Sequence, residues 1–236
     1  MGKLREIRKI VLEVLAGDDW PQGLAALESI PAKQLLGPLF ACLLEPDQLV
    51  RWRAVTAFGA VVARLYQAKP EDARQLVRQL MWRLNEESGN IAWGIPEAFG
   101  EILAKQPDLA KEFHKVLASY INERDCKTGD NYLELCPLRC GAYWGLARLA
   151  QDRPELTMTA FDDLALALAS EDPESRALAA WGVGPMLKYA HARVKAVSGV
   201  LEALSGDESP VELYRDGSLA RTSVAALARE ALKKIP

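Results

Sequence analysis

Arg53-Ala-Val-Thr-Ala-Phe-Gly59, Gly94-Ile-Pro-Glu-Ala-Phe-Gly100, Arg139-Cys-Gly-Ala-Tyr-Trp-Gly145 and Arg176-Ala-Leu-Ala-Ala-Trp-Gly182 follow one plan: small residues, then an aromatic, then glycine. Arg221-Thr-Ser-Val-Ala-Ala-Leu227 is a degenerate fifth copy. Their first residues stand at 53, 94, 139, 176 and 221, so the steps are 41, 45, 37 and 45 residues. A recurrence of about 40–47 residues is the signature of stacked helix pairs, and it decides the fold before any single element is assigned.

Working outward, each copy lies in a helical segment that another helical segment precedes. Val55, Phe58, Val62 and Leu65 recur at helical spacing. The first unit pairs about 34–44 with about 49–65 across the turn Glu45-Pro46-Asp47. The later pairs are predicted over about 71–84 with 93–105, 108–122 with 138–151, 155–170 with 174–190, and 192–205 with 218–235. Two further helices, about 3–16 and 21–30, come before them. Pro70, Pro107, Pro137, Pro154 and Pro173 fall at predicted helix starts, where the missing N–H costs nothing. Pro38 and Pro185 fall inside helices and predict local kinks.

The run Leu35-Leu36-Gly37-Pro38-Leu39 to Val50-Arg51-Trp52-Arg53-Ala54, ending Ala57-Phe58-Gly59, resembles a HEAT repeat of the small bacterial HEAT-like type. The resemblance covers roughly residues 32–236 and is best in units one and four. Unit two has Ile91-Ala92 in place of Val-Arg, and unit three has Pro137 at the arginine position. The arginine of unit four, Arg176, stands for either Arg51 or Arg53. The expectation is a single all-α domain with about twelve helices and no sheet. It is a right-handed α-solenoid of about five helix pairs, at about 32–68, 69–106, 107–152, 153–190 and 191–236, behind an N-terminal pair at 1–31. One pair cannot bury its apolar face alone and must stack on the next. Ala57, Ala98, Ala142 and Ala180 then allow close approach, and Phe58, Phe99, Trp144 and Trp181 fill the layer between units.

Composition narrows the function. The chain has 236 residues, a formal net charge of −3 and a sequence pI near 5.6. No strong field draws it to nucleic acid or anionic lipid. No apolar run reaches the ~20 residues of a membrane span. The first residues lack the apolar core of a secretory signal, and Glu6 stands where a myristoylation motif wants Ser or Thr. A soluble cytoplasmic monomer is expected. There is no Walker motif, His-Glu-x-x-His pattern or Gly-x-Ser-x-Gly elbow.

Four features invite a site. The stretch from Trp82 to Glu97 carries Asn85, Glu86, Glu87 and Trp93, and joins carboxylates and amides to two tryptophans. Aromatic anchors beside charge suit a contact surface; alternatively, Glu97 merely follows Pro96 in a helical first turn, where a carboxylate suits the dipole. Cys126, Cys136 and Cys140, with His114 as a fourth donor, are a candidate metal set. Their spacing is poor for structural zinc, and burial of Cys140 as a small core residue is the simpler reading. Polar insertions at 123–132 and 206–217 leave from one edge of the solenoid. Arg51, Arg53, Arg139, Arg148 and Arg176 recur on second helices. They form either a basic stripe or, as favoured here, a ladder paired to the acidic turn residues Glu45, Asp47, Glu86, Asp172 and Glu174.

The resemblance therefore implies a protein-interaction module holding a protein partner on its concave side, without cofactor or catalysis. The contacts would come from Trp82, Asn85, Glu86, Glu87, Trp93, Glu97, Arg139 and Arg148. Two other classes share such folds: alkylpurine DNA glycosylases, whose concave tryptophans and carboxylate would correspond to Trp93, Trp144, Trp181 and Glu97, and phycobilin lyase-like tetrapyrrole chaperones.

Overall fold

The computed structural model describes residues 2–20, 22–85, 92–123 and 131–235. An opening pair, α1 (Gly2–Ala16) and α2 (Gln22–Ala26), precedes α3 (Ala32–Cys42), α4 (Gln48–Ala68), α5 (Pro70–Leu84), α6 (Ile95–Lys105), α7 (Pro107–Ser119) and α8 (Cys136–Asp152). Then come α9 (Pro154–Thr157), α10 (Phe161–Ala167), α11 (Pro173–Met186), α12 (Val194–Leu204), strands β1 (Pro210–Arg215) and β2 (Ser218–Ser223), and α13 (Val224–Leu232). The second helix of each unit forms an inner layer, α4 on α6, α6 on α8, α8 on α11, and α11 on α13. The first helices lie outside. Among the described residues no helix is long and apolar enough to cross a membrane.

Local chemistry sets the helix starts. Pro70, Pro96, Pro107, Pro137, Pro154 and Pro173 occupy first or second helical positions. Asp47 caps α4 by accepting from the Leu49 and Val50 amides, and Asp172 caps α11 by accepting from Ser175. Gly94, at φ 73°, turns the chain into α6.

The glycine that closes each pattern is the contact point of the inner layer. A Cβ on Gly100 would lie 2.1 Å from the Gly145 Cα, so α6 and α8 touch backbone to backbone. Gly59 meets Glu101 of α6, and Gly182 meets Ala147 of α8. Phe58 and Phe99 are fully buried, Phe58 edge-on to Phe40 of α3 at 4.9 Å.

The arginine ladder is present, with different partners from those expected. Arg51 donates one guanidinium nitrogen to the Glu45 and Pro46 carbonyls, at 2.8 and 3.0 Å. Arg139 does the same to Leu133 and Glu134, and Arg176 to Ser170 and Glu171. Each ties down the turn before its own helix through main-chain oxygens, and Arg176 adds a two-nitrogen ion pair to Asp207 Oδ2 at 2.7 and 3.0 Å. This geometry equates Arg176 with Arg51. Arg53 instead caps the C-terminal end of α1, donating to the carbonyls of Leu15 and Gly17.

The absence of a sheet is corrected at 210–223. There β1 and β2 pair antiparallel from Pro210↔Ser223 to Arg215↔Ser218, and the last helix begins at Val224 instead of about 218. Asp216 (φ 53°) and Gly217 (φ 79°) both take the left-handed conformation that a two-residue hairpin turn demands. Val211, Leu213 and Tyr214 of β1 are buried, so the insertion adds to the core.

Candidate functional site

The hairpin alters the inner surface. Tyr214 stacks on Trp52 of α4, with ring centroids 5.0 Å apart and planes 11° apart. Its hydroxyl shares a 2.9 Å hydrogen bond with Thr56, and its carbonyl accepts from Trp144 Nε1 at 2.9 Å. The turn residue Gly217 reaches Trp20, near the start of the chain. The last unit thus crosses the inner layer and clasps the first. Trp144 and Trp181 are only 3% and 5% exposed. With Tyr214, Thr56, Glu101 and Arg148 they still line a depression of ≈ 460 Å³ beneath the hairpin.

Beneath the hairpin, Arg148 and Glu101 form an ion pair of 2.7 Å, with the carboxylate side chain 4% exposed. Asp152 and Lys105 flank it. Burial pushes the Glu101 carboxyl up, and the cations of Arg148 and Lys105 pull it back.

A second depression remains at the rim. It is a pocket of ≈ 440 Å³ at the N-terminal ends of α4, α6 and α8, walled by Leu43, Leu44, Trp52, Val55 and Trp93, with Arg51 and Glu97 as its charged groups. Glu97 is held at the third position of α6 by the Gly94 turn and Pro96. Its carboxylate lies directly over Gly141 of α8, where a Cβ would come within 2.6–2.7 Å of it. Oε2 is sealed from solvent and has no hydrogen-bond partner. Loss of hydration pushes the Glu97 carboxyl up to about 7; Glu174 adds to the rise, while its own backbone N–H and Arg51 oppose it. A buried acceptor without a donor is rare enough in folded proteins to need a reason.

Beside this pocket, the first turns of α8 and α11 bring two thiols to a carboxylate. Cys136 Sγ lies 3.9 Å from Cys140 Sγ, which lies 3.5 Å from both Asp172 Oδ2 and Ser175 Oγ. Burial is the largest cause pushing the Cys140 thiol up; the Ser175 hydrogen bond opposes it.

The residues singled out in the sequence therefore separate. Trp93 and Glu97 share the rim pocket. Trp82, on α5, is 60% exposed, and Asn85 is exposed at the end of that helix. Glu86, Glu87 and Cys126 lie outside the described residues. Arg139 is committed to its turn and lies over Tyr132, and Arg148 to its ion pair. His114 stands on α7 with Nδ1 bonded to the Ala110 carbonyl, outside the thiol cluster. Sequence reasoning assigned no site role to Trp52 or Tyr214, and offered Asp172 only as an acid for the arginine ladder. The Asp216-Gly217 pair between alternating residues was a readable hairpin signal for Tyr214. Nothing local announces Asp172 as a neighbour of cysteines 32 and 36 residues earlier.

Known proteins place the fold and little more. A designed armadillo repeat protein superposes with a TM-score of 0.58 at 16% identity, over 99% of this chain and 93% of its own. A second designed armadillo repeat protein, in complex with the peptide (KR)4, gives 0.54 at 16% identity, over 98% and 100%. The chain has the α-solenoid fold of armadillo and HEAT-like repeats. An uncharacterized protein of Archaeoglobus fulgidus is 31% identical over 85 residues. That match spans 36% of this chain and 43% of the relative. No family model matches the sequence.

Proposed function

We propose that this chain is a protein-interaction scaffold that holds a segment of a protein partner and carries out no chemistry on it. The solenoid fold supports the reading, because stacked units present long, rigid inner surfaces to extended chains. A designed protein of the same fold holds the peptide (KR)4. The observation that carries the proposal is the rim pocket. Trp93, 41% exposed, flanks an apolar depression that also contains Glu97, whose Oε2 has no hydrogen-bond partner. Aromatic anchors at the centre of a desolvated patch supply most interface energy. With Tyr214 seated on Trp52, the partner is expected at the rim of α4, α6 and α8 instead of the middle of the inner layer.

A photo-crosslinking residue at position 93 tests this in host extract, with position 166, exposed on α10, as control. A discrete adduct from 93 and none from 166 is expected. The double variant Trp93→Ala, Glu97→Ala should then weaken capture of that adduct's protein about tenfold or more, since hot-spot losses exceed ~1.4 kcal/mol. Full capture by a folded double variant refutes the placement.

A further inference from the structure

We propose that Cys136, Cys140 and Asp172 form a binding site for a single zinc-like divalent cation, built into the junction of the third and fourth units and separate from the partner pocket. One donor atom from each of the three residues lies within 4.8 Å of the other two. The spacing matches the chemistry. Zinc holds thiolate sulfur at about 2.3 Å and carboxylate oxygen at about 2.0–2.2 Å, so donors on the edges of its tetrahedron sit about 3.5–3.8 Å apart. The observed separations are 3.9 Å between the two sulfurs and 3.5 Å from Cys140 Sγ to Asp172 Oδ2.

The scaffold around these donors is rigid. Cys136 and Cys140 stand one turn apart on α8, whose first turns are fixed by Pro137 and by the Arg139 clasp on the preceding carbonyls. Asp172 Oδ2 is oriented by the backbone N–H of Ser175 at 2.8 Å and now also accepts from its hydroxyl at 2.7 Å, a rotatable donor whose lone-pair direction the cation would take over. Hydrogen bonds of that kind aim a first ligand at a metal and raise affinity. Arg176 clamps the turn that carries Asp172. Two soft thiolates favour zinc over magnesium or calcium, which take oxygen ligands. Three protein donors leave one tetrahedral position for water. Binding replaces the two thiol protons with the cation and releases them to solvent. The cation also ties α8 to the start of α11, adding to the packing of these inner helices and to the bond from Gln151 to the Trp181 carbonyl.

Cobalt(II) reports such a site by colour. The reduced, metal-free full chain is titrated with cobalt chloride and then zinc chloride. One equivalent should produce a thiolate-to-cobalt charge-transfer band and visible d–d bands, which zinc abolishes. Cys136→Ser, a half-buried position, and Cys140→Ser should each remove most of the band while far-ultraviolet circular dichroism stays helical. Asp172→Asn keeps an N-cap acceptor but replaces the anionic ligand with a neutral amide, and should weaken cobalt binding at least about tenfold. A wild-type protein that shows no charge-transfer band in excess cobalt overturns the proposal. So does a band that persists in both cysteine variants, because Cys42 or Cys126 would then be its source.

Discussion

Replacing Glu97 with glutamine should make the protein more stable at neutral pH and erase a slope in its stability. The folded state holds the Glu97 carboxyl near 7, against its ordinary 4.5. The unfolded chain gives up that proton near 4.5, and the native state keeps it until about 7. Between those values the native state binds more protons, so stability falls as pH rises through the window and levels off above it. Each pH unit of such a displacement is worth about 1.4 kcal/mol, which sets a ceiling of about 3 kcal/mol; contact with the open pocket reduces this to about 1–3 kcal/mol. Glutamine resembles the protonated acid in shape and does not ionise. Urea denaturation of both proteins at half-unit steps from pH 4.5 to 8 gives the test, read as variant minus wild type so that other titrating groups cancel. The difference should grow with pH by about 1–3 kcal/mol in favour of Glu97→Gln and flatten above about 7. A flat difference across the window, or one that favours the wild type more as pH rises, would refute the claim that this carboxylate is desolvated and unpaired.

Gly100→Ala should strike the inner layer hardest among single-atom changes, because its methyl would fall 2.1 Å from the Gly145 Cα, and that neighbour is backbone. A loss of about 2–4 kcal/mol is expected from overpacking with backbone displacement, and an unchanged denaturant midpoint would mean α6 and α8 do not touch there. Tyr214→Ala removes the stack on Trp52 and the bond to Thr56; a cost of about 3–5 kcal/mol is expected for a buried aromatic. Hydrogen exchange at β1 and β2 should rise with it, and unchanged exchange would show that the hairpin holds without this clasp.

How much was legible in the sequence follows from the range of the signals. The repeat was readable because stacking places the same demand on every unit, so small residues, an aromatic and a glycine recur at each inner-helix crossing. Helix starts were readable because proline and aspartate act within three or four residues of themselves. Arg51, Arg139 and Arg176 were visible as a series, but their partners were not: main-chain carbonyls carry no mark in a sequence. The insertion at 206–217 showed its Asp-Gly turn and still read as a loop, because a hairpin gains little until it has a surface to cover.

Trp93 and Glu97 were singled out together because they are four residues apart at the start of one helix. That Glu97 lies over Gly141, 44 residues later, could be settled only by the crossing of α6 on α8. The same holds for Tyr214 against Trp52, and for Asp172 beside Cys136 and Cys140. By itself the sequence determined the repeating unit, its period and the ends of most helices, since each depends on neighbours along the chain. The tertiary structure alone decided which side chains meet across units, whether the inner surface is crossed by its own hairpin, and which carboxylate oxygen is sealed without a hydrogen-bond partner. Those outcomes depend on how one helix pair rotates on the next, and no residue encodes that rotation locally.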